Sequence, residues 1–194
     1  MARMVVKASP KSGAQIEAAA LNLIQKYQPG VLIQPQPFDV ERFFENHLES
    51  FTGVRSMYQE LYPPVHGYTD SDQMVSVVSS VLADDPNKLN FFRATVAHEI
   101  GHAVQHVPEF RRRKEMLKLI HDSEDVSLRM FRKDQIRAYE DPEWQAWRFA
   151  KALLMPAVTV RMAVGAGISH NEMSLAFQVS VPFVRSRLRD LKLL

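Results

Sequence analysis

The stretch TVAHEIGHAVQH, residues 95–106, carries three histidines at intervals of four and a glutamate directly after the first of them. At 100° per residue of an α-helix, one set of apolar residues falls within about 40° of a single line: Leu89, Phe92, Val96, Ile100, Ala103 and Val107. The histidines and Glu99 lie on the opposite side. The stretch therefore predicts a helix with one face in a core and ionisable side chains on the other, between the breakers Pro86 and Pro108.

The spacing of His98 and His102 suits a metal site. Residues four apart lie one helical turn above each other, so the two imidazoles can aim at one point about 2 Å from each ring nitrogen, as zinc requires. Glu99 lies beside that point, where a carboxylate can take a proton from an attacking water. This is the division of roles in the H-E-x-x-H pattern of zinc peptidases.

A third ligand is needed from elsewhere in the chain. His106 is a weak candidate, because the helix carries it about 6 Å past His102 along the axis. The metzincin spacing requires Gly and His where this chain has Gln105 and Pro108, which excludes that class.

The segment EDPEWQAWRFAKALLMP, residues 140–156, offers a better candidate. Asp141-Pro142 predicts the start of a helix on which Glu143, Ala146 and Ala150 share a face. Small residues there, and Gly101 on the histidine helix, indicate that the two helices approach closely. Glu143 is then either the third ligand or an acidic residue that favours the helix dipole, and the spacing does not decide between them.

Composition sets limits on the function. The 194 residues, 46% of them apolar, are enough for one core with a small appended lobe. The 24 Lys and Arg nearly balance the 22 Asp and Glu, so the net charge of +2 gives no global argument for nucleic acid or a membrane surface. Cysteine is absent, which leaves metal binding to His, Asp and Glu. No signal peptide or apolar span is evident, so we expect a soluble, cytoplasmic protein without a membrane partner.

Periodicity and breakers predict helices over residues 14–27 and 39–48, and two or three short antiparallel strands within residues 53–83. Serines 76, 79 and 80 interrupt the apolar run of residues 74–82. They indicate either a sheet edge on which an extended peptide could dock or an ordinary solvated strand. The expected fold class is α+β, mostly helical, with a small antiparallel β-meander before the histidine helix.

The C-terminal tail predicts two helices joined by a tight turn. Ser169 with Glu172 forms a capping-box pattern, and Ser180 with Pro182 marks a second start. The pair is helix-turn-helix-like, and three arginines on its second helix could touch phosphates: Arg185, Arg187 and Arg189. The favoured alternative is that solvent surrounds these arginines while apolar residues of the tail close the core: Met173, Leu175, Phe177, Phe183, Leu188 and Leu191.

AHEIGHAVQH, followed some forty residues later by E-x-x-A-x-x-FA-x-x-LLMP, resembles the ImmA/IrrE family of zinc metallopeptidases. The resemblance implies that His98, His102 and Glu143 hold Zn2+ and that Glu99 is the catalytic base. It also implies a thermolysin-like metallopeptidase domain over residues 1–160 and a helical tail over 161–194. Members are bacterial or phage-borne and often act on a helix-turn-helix repressor, which makes such a protein the expected substrate.

One position departs from this pattern. Many relatives have Asn after the alanine of the second block, able to accept a hydrogen bond from a ligand histidine, whereas Trp147 stands here and indole only donates. Asp122, Asp125 or Glu140 could replace that acceptor. A DNA-binding or protein-binding regulator with a structural or vestigial metal site is the competing hypothesis, in which nucleic acid is the less favoured partner.

Overall fold

The computed structural model describes residues 4–194. Five strands are formed: β1 Met4–Val6, β2 Arg55–Gln59, β3 Gly67–Asp70, β4 Val75–Ser79 and β5 Met130–Arg132. Ten α-helices accompany them in the described chain: α1 Gly13–Tyr27, α2 Val40–Asn46, α3 Leu48–Thr52, α4 Ser80–Ala83, α5 Leu89–Gln105, α6 Val107–His121, α7 Pro142–Leu154, α8 Ala157–Gly165, α9 His170–Phe177 and α10 Val181–Asp190. The predicted α+β class is confirmed.

The helix starts follow from local side-chain chemistry. Asp39 accepts from the Arg42 amide at the start of α2, and Asp141 accepts from the Glu143 amide at the start of α7. Such caps satisfy amide groups that a helix start leaves unpaired. The second cap matters most, because it fixes Glu143 in the first turn of α7.

The central sheet has the order β2-β4-β3. Strands β3 and β4 pair antiparallel, but β2 and β4 run parallel, so the predicted all-antiparallel meander is wrong. The chain leaves β2, crosses to the far edge for β3, and turns back into the middle as β4. Every residue of β4 is buried, which explains why this strand takes the central place.

The serines of β4 do not mark a wet face or an edge, so that expectation is wrong for this strand. Ser76 is buried, with its hydroxyl 3.0 Å from the Thr69 hydroxyl. Buried Ser79 donates to the Leu61 carbonyl at 2.6 Å and caps α4. Each hydroxyl has a partner inside the protein, and the edges of this sheet are β2 and β3.

Helix α5 lies at the centre of the molecule. Residues 92–101 are buried without interruption, because the sheet covers one side and α7 another. The helix is therefore less amphipathic than predicted, and Leu89 is 48% exposed rather than part of the core. A Cβ added at Gly101 would lie 3.1 Å from the Ala146 carbonyl oxygen. The predicted close approach of the two helices is confirmed.

The helices of the tail share the main core. Met173, Phe177 and Leu188 pack in it, whereas Leu175 is 79% exposed, contrary to expectation. Arg187 is also buried, so the expectation that solvent surrounds all three arginines is wrong. Its guanidinium pairs with Glu17 and donates to the Met155 carbonyl at 2.9 Å, which ties α10 to α1 and to the residue that follows α7.

Two further features complete the fold. Gln178, at the usual glycine position of a helix-turn-helix, adopts a left-handed φ of 52°, and its carbonyl accepts from the Arg93 side chain of α5 at 3.3 Å. No helix within residues 4–194 combines the length and apolar character that crossing a membrane requires.

Candidate metal centre

Three side chains from two helices converge on one point. His98 and His102 project from α5, and Glu143 projects from the first turn of α7. The two imidazole Nε2 atoms are 3.1 Å apart, and each lies 3.6 Å from an oxygen of Glu143. In a tetrahedral site with zinc–ligand distances of about 2.0–2.1 Å, ligand atoms are about 3.3 Å apart. The separations and the donor set of two imidazoles and one carboxylate therefore fit zinc.

The structure distinguishes Glu143 from its neighbour Glu140. Glu140 forms an ion pair with Lys7 at 2.8 Å, on the side of the β1 segment. Glu143 lies within the histidine cluster, so its place at the helix start brings it to the candidate site as well as to the helix dipole. The close packing at Gly101 and Ala146 makes this possible, because it holds α5 and α7 at short range.

Glu99 is beside the cluster and nearly inaccessible, with 4% of its surface exposed. Burial raises the pKa of Glu99 to about 7, while the neighbouring His98 and the Thr69 hydrogen bond oppose the shift. The Thr69 hydroxyl donates to Glu99 Oε2 at 2.7 Å. A Cβ at Gly67 would lie only 3.0 Å from Glu99 Cγ, so glycine allows β3 to approach the carboxyl.

Thr69 and Gly67 were not among the residues predicted from the sequence. The Thr69 hydroxyl donates its hydrogen bond to Glu99, so in the contact between Ser76 and Thr69 the Ser76 hydroxyl must be the donor. Both β3 residues lie 30 or more positions from Glu99, and only the sheet topology brings them together. The only sequence signal is that side chains alternate between the two faces of a strand, which places Gly67 and Thr69 on the same face of β3.

The far nitrogen of His102 meets another histidine. His102 Nδ1 is 3.1 Å from His106 Nδ1, and His106 Nε2 is 3.1 Å from Gln145 Oε1. Burial lowers the pKa of His106 well below its ordinary value. His106 thus contacts one of the three converging side chains and lies outside that set. The acceptors suggested from the sequence do not hold this place, since Asp122 and Asp125 are exposed.

His98 is held differently. Its ring packs on the Trp147 indole, with ring centroids 4.3 Å apart and planes tilted by 36°. Among residues 4–194, no group forms a hydrogen bond with His98 Nδ1. The residue that departs from the expected pattern therefore restrains the imidazole by ring packing, where an asparagine would have accepted a hydrogen bond.

A cleft of about 420 Å³ opens over these side chains, and β3 forms one wall of it. The Ser79 amide donates to the His66 carbonyl at 2.9 Å, and Gly67 and Val78 are the next pair in register. Because hydrogen-bonded and non-hydrogen-bonded pairs alternate in antiparallel strands, the main-chain N–H and C=O of Gly67 and Thr69 point away from β4. They face the open edge of the sheet, next to Glu99.

Comparisons with known proteins give a fold and no family. No protein-family model matches the sequence, and no curated protein matches it. Among solved structures, the chain is similar to a Mycobacterium tuberculosis transcriptional regulator, with a TM-score of 0.58 and 14% identity. The match covers 90% of this chain and 46% of the regulator, so this chain spans about half of that protein's length. At this identity the likeness shows the fold alone.

Proposed function

We propose that this protein is a cytoplasmic zinc-dependent endopeptidase that cleaves a protein partner. One observation carries the proposal: a zinc-compatible triad and a buried carboxylate beside it line the same open cleft. The resemblance of residues 97–106 and 143–156 to ImmA/IrrE metallopeptidases supports the same conclusion and favours a helix-turn-helix repressor as the substrate.

His98, His102 and Glu143 would hold the ion, which when bound supplies Lewis-acid chemistry to water and to the scissile carbonyl. Glu99 takes a proton from the water while the water oxygen bonds to the carbonyl carbon. Glu99 then returns that proton to the amine nitrogen as the C–N bond breaks. Thr69 holds one oxygen of the carboxylate throughout, which leaves the other to exchange the proton.

The experiment that tests peptidase activity uses a mixture of peptides digested from a bacterial proteome. Protein loaded with one equivalent of zinc should generate new peptide termini, detected by mass spectrometry, and protein stripped with a chelator should not. The candidate repressor would be tested in the same way. If zinc-loaded protein cleaves neither the mixture nor a repressor, the proposed activity is wrong.

Replacing Glu143 by Ala should remove most of the bound zinc, because two imidazoles alone leave the ion without its carboxylate ligand. Glu140→Ala is the matched control, since Glu140 pairs with Lys7 and not with the histidines. Metal analysis after gel filtration should give about one zinc per chain for the parent and the control. Retention of zinc by Glu143→Ala, together with its loss from Glu140→Ala, would show that the wrong acid has been assigned.

We expect the substrate to bind as an added strand on the edge of β3. An extended peptide can pair there with the outward N–H and C=O groups of Gly67 and Thr69, without regard to its own side chains. Only every second peptide N–H points toward a neighbouring strand. N-methylation of a cleaved peptide, one bond at a time, should therefore block cleavage at alternate positions.

Proline substitutions within the sheet would not test this docking cleanly, so the scan is made on the substrate. Ser76 and Val78 lie in the central strand, where proline would break the sheet, and a ring at Gly67 would collide with Glu99. The intervening N-methyl positions serve as controls of equal bulk. A uniform loss, or no loss, across all positions means that the peptide does not dock on β3.

A second candidate function is a DNA-binding or protein-binding regulator whose metal site is structural or vestigial. The similar solved structure is described as a transcriptional regulator, and Arg185 and Arg189 are exposed on α10. Gel-shift titrations over a range of salt concentrations distinguish the two candidates. Specific binding that weakens steeply with salt and depends on these two arginines would favour the regulator. Because Arg187 is buried, its replacement tests folding and does not test phosphate contact.

A further inference from the structure

Gln145 occupies a buried junction between the N-terminal segment and the metal centre. Its side-chain nitrogen lies 2.9 Å from the Ser9 carbonyl and 2.8 Å from the Tyr139 carbonyl. Carbonyl oxygens only accept hydrogen bonds, so the amide orientation is fixed with its NH2 group toward them. The Lys11 ammonium, 3.0 Å from Gln145 Oε1, confirms the orientation from the other end, because an ammonium only donates.

The orientation of this amide determines the proton on His106. His106 Nε2 is 3.1 Å from Gln145 Oε1, which can only accept, so Nε2 must carry a hydrogen. His106 is buried, so a second proton would create a buried cation against His102 and near the Lys11 ammonium, which is unfavourable. His106 therefore carries one proton, on Nε2, and its Nδ1 offers a lone pair.

That lone pair lies 3.1 Å from His102 Nδ1. We propose that Gln145, acting through His106, is a positioning residue that keeps the proton of His102 on Nδ1, so that the lone pair of Nε2 can bind zinc. The inference rests on the zinc site of the proposed function and is independent of whether the protein cleaves peptides.

Both His106 and Gln145 are needed to fix the proton of His102. A ligand histidine usually donates its second N–H to a carboxylate, a carbonyl or water. Each of these groups always has a lone pair with which to accept. An imidazole can either donate or accept, so His106 serves as an acceptor only while another group holds its own proton on the far nitrogen. Gln145 supplies that group, and its two carbonyl partners prevent the amide from turning over.

His98 provides an internal comparison. No group of residues 4–194 forms a hydrogen bond with its Nδ1, and Trp147 restrains the ring by packing alone. No corresponding chain fixes the proton of His98. Changes at His106 should therefore act on the proton position of His102 directly, and on His98 only through the 3.1 Å contact between the two Nε2 atoms.

The test compares His106→Leu, which has no acceptor, with His106→Asn, whose amide oxygen can take the place of Nδ1. His121→Asn, at an exposed histidine, is the control. Zinc affinity is measured by competition with a chelator, and the proton position by imidazole 15N NMR of protein with and without zinc. Loss of an outer hydrogen-bond partner typically weakens metal binding by about 10–100-fold. We expect that loss for His106→Leu, with affinity close to the parent for His106→Asn and the control.

The spectra of the parent protein decide the matter even if His106→Leu fails to fold. His102 should carry its proton on Nδ1 both with and without zinc, and in folded Gln145→Met it should divide between the two nitrogens. A parent spectrum with the proton on His102 Nε2 overturns the proposal. So does a folded His106→Leu variant that binds zinc as tightly as the parent. Neither readout uses hydrolysis, so failure here is distinct from failure of the peptidase proposal.

Discussion

Glu99→Gln should lower the rate of peptide cleavage by about 10²–10⁴-fold, the usual contribution of a general acid–base group. The amide matches the carboxylate in shape and can still accept from the Thr69 hydroxyl, but it cannot take a proton from water. Because Glu99 is not one of the converging ligand groups, zinc content should stay at the level of the parent protein. Cleavage is measured on a peptide identified with the parent, and zinc by metal analysis of the same sample.

Glu143→Ala is the variant to compare with Glu99→Gln, because it should lose both bound zinc and cleavage. Normal cleavage by Glu99→Gln would show that another group transfers the proton. Loss of zinc from Glu99→Gln would instead make Glu99 a ligand. The pair of variants therefore separates the role of the base from that of the metal ligand.

Glu17→Ala should lower the free energy of unfolding by about 3–5 kcal/mol, the cost of leaving a buried charge without its partner. Arg187 is fully buried, and its guanidinium makes two contacts with the Glu17 carboxylate, one of them 2.8 Å long. The measurement is urea unfolding followed by circular dichroism. Arg185→Met is the control, and its exposed position predicts a change within about 0.5 kcal/mol.

The double variant Glu17→Leu with Arg187→Met makes this test sharper. Apolar residues of similar size can replace a buried ion pair at little cost, so the double variant should be more stable than Glu17→Ala. Unfolding of Glu17→Ala at the same urea concentration as the parent would contradict the buried pair. It would also restore Arg187 as a candidate for phosphate contact.

The sequence was most informative where one helix carries the whole signal. The period of α5 placed His98 and His102 on one helix face, and the Asp141-Pro142 cap placed Glu143 in the first turn of another helix, but only the resemblance made Glu143 the expected third ligand. Gly101 and Ala146 indicated how close those helices lie. Each inference depended on residues within a few turns of one another, for which helical geometry gives reliable neighbours.

Predictions failed where a polar group has its partner on another secondary-structure element. Ser76 suggests a solvated strand until Thr69 is found beside it, and Arg187 suggests a solvated face until Glu17 meets it from 170 positions away. Gln145, for which the sequence predicted no role, contacts Ser9 across 136 positions. Burial of a polar side chain depends on such a partner, and periodicity within one segment contains no information about it.

Strand β3 contacts both the cleft and Glu99. Its free edge offers main-chain groups to the cleft, while the Thr69 side chain holds Glu99. A peptide lying along that edge would stiffen the same backbone that carries Thr69, so arrival of a substrate and alignment of the carboxylate would be coupled. If the protein is the proposed peptidase, an empty cleft would leave this strand more freedom and Glu99 less well aligned, so the protein without substrate would be a poor hydrolase and the substrate itself would help to activate it.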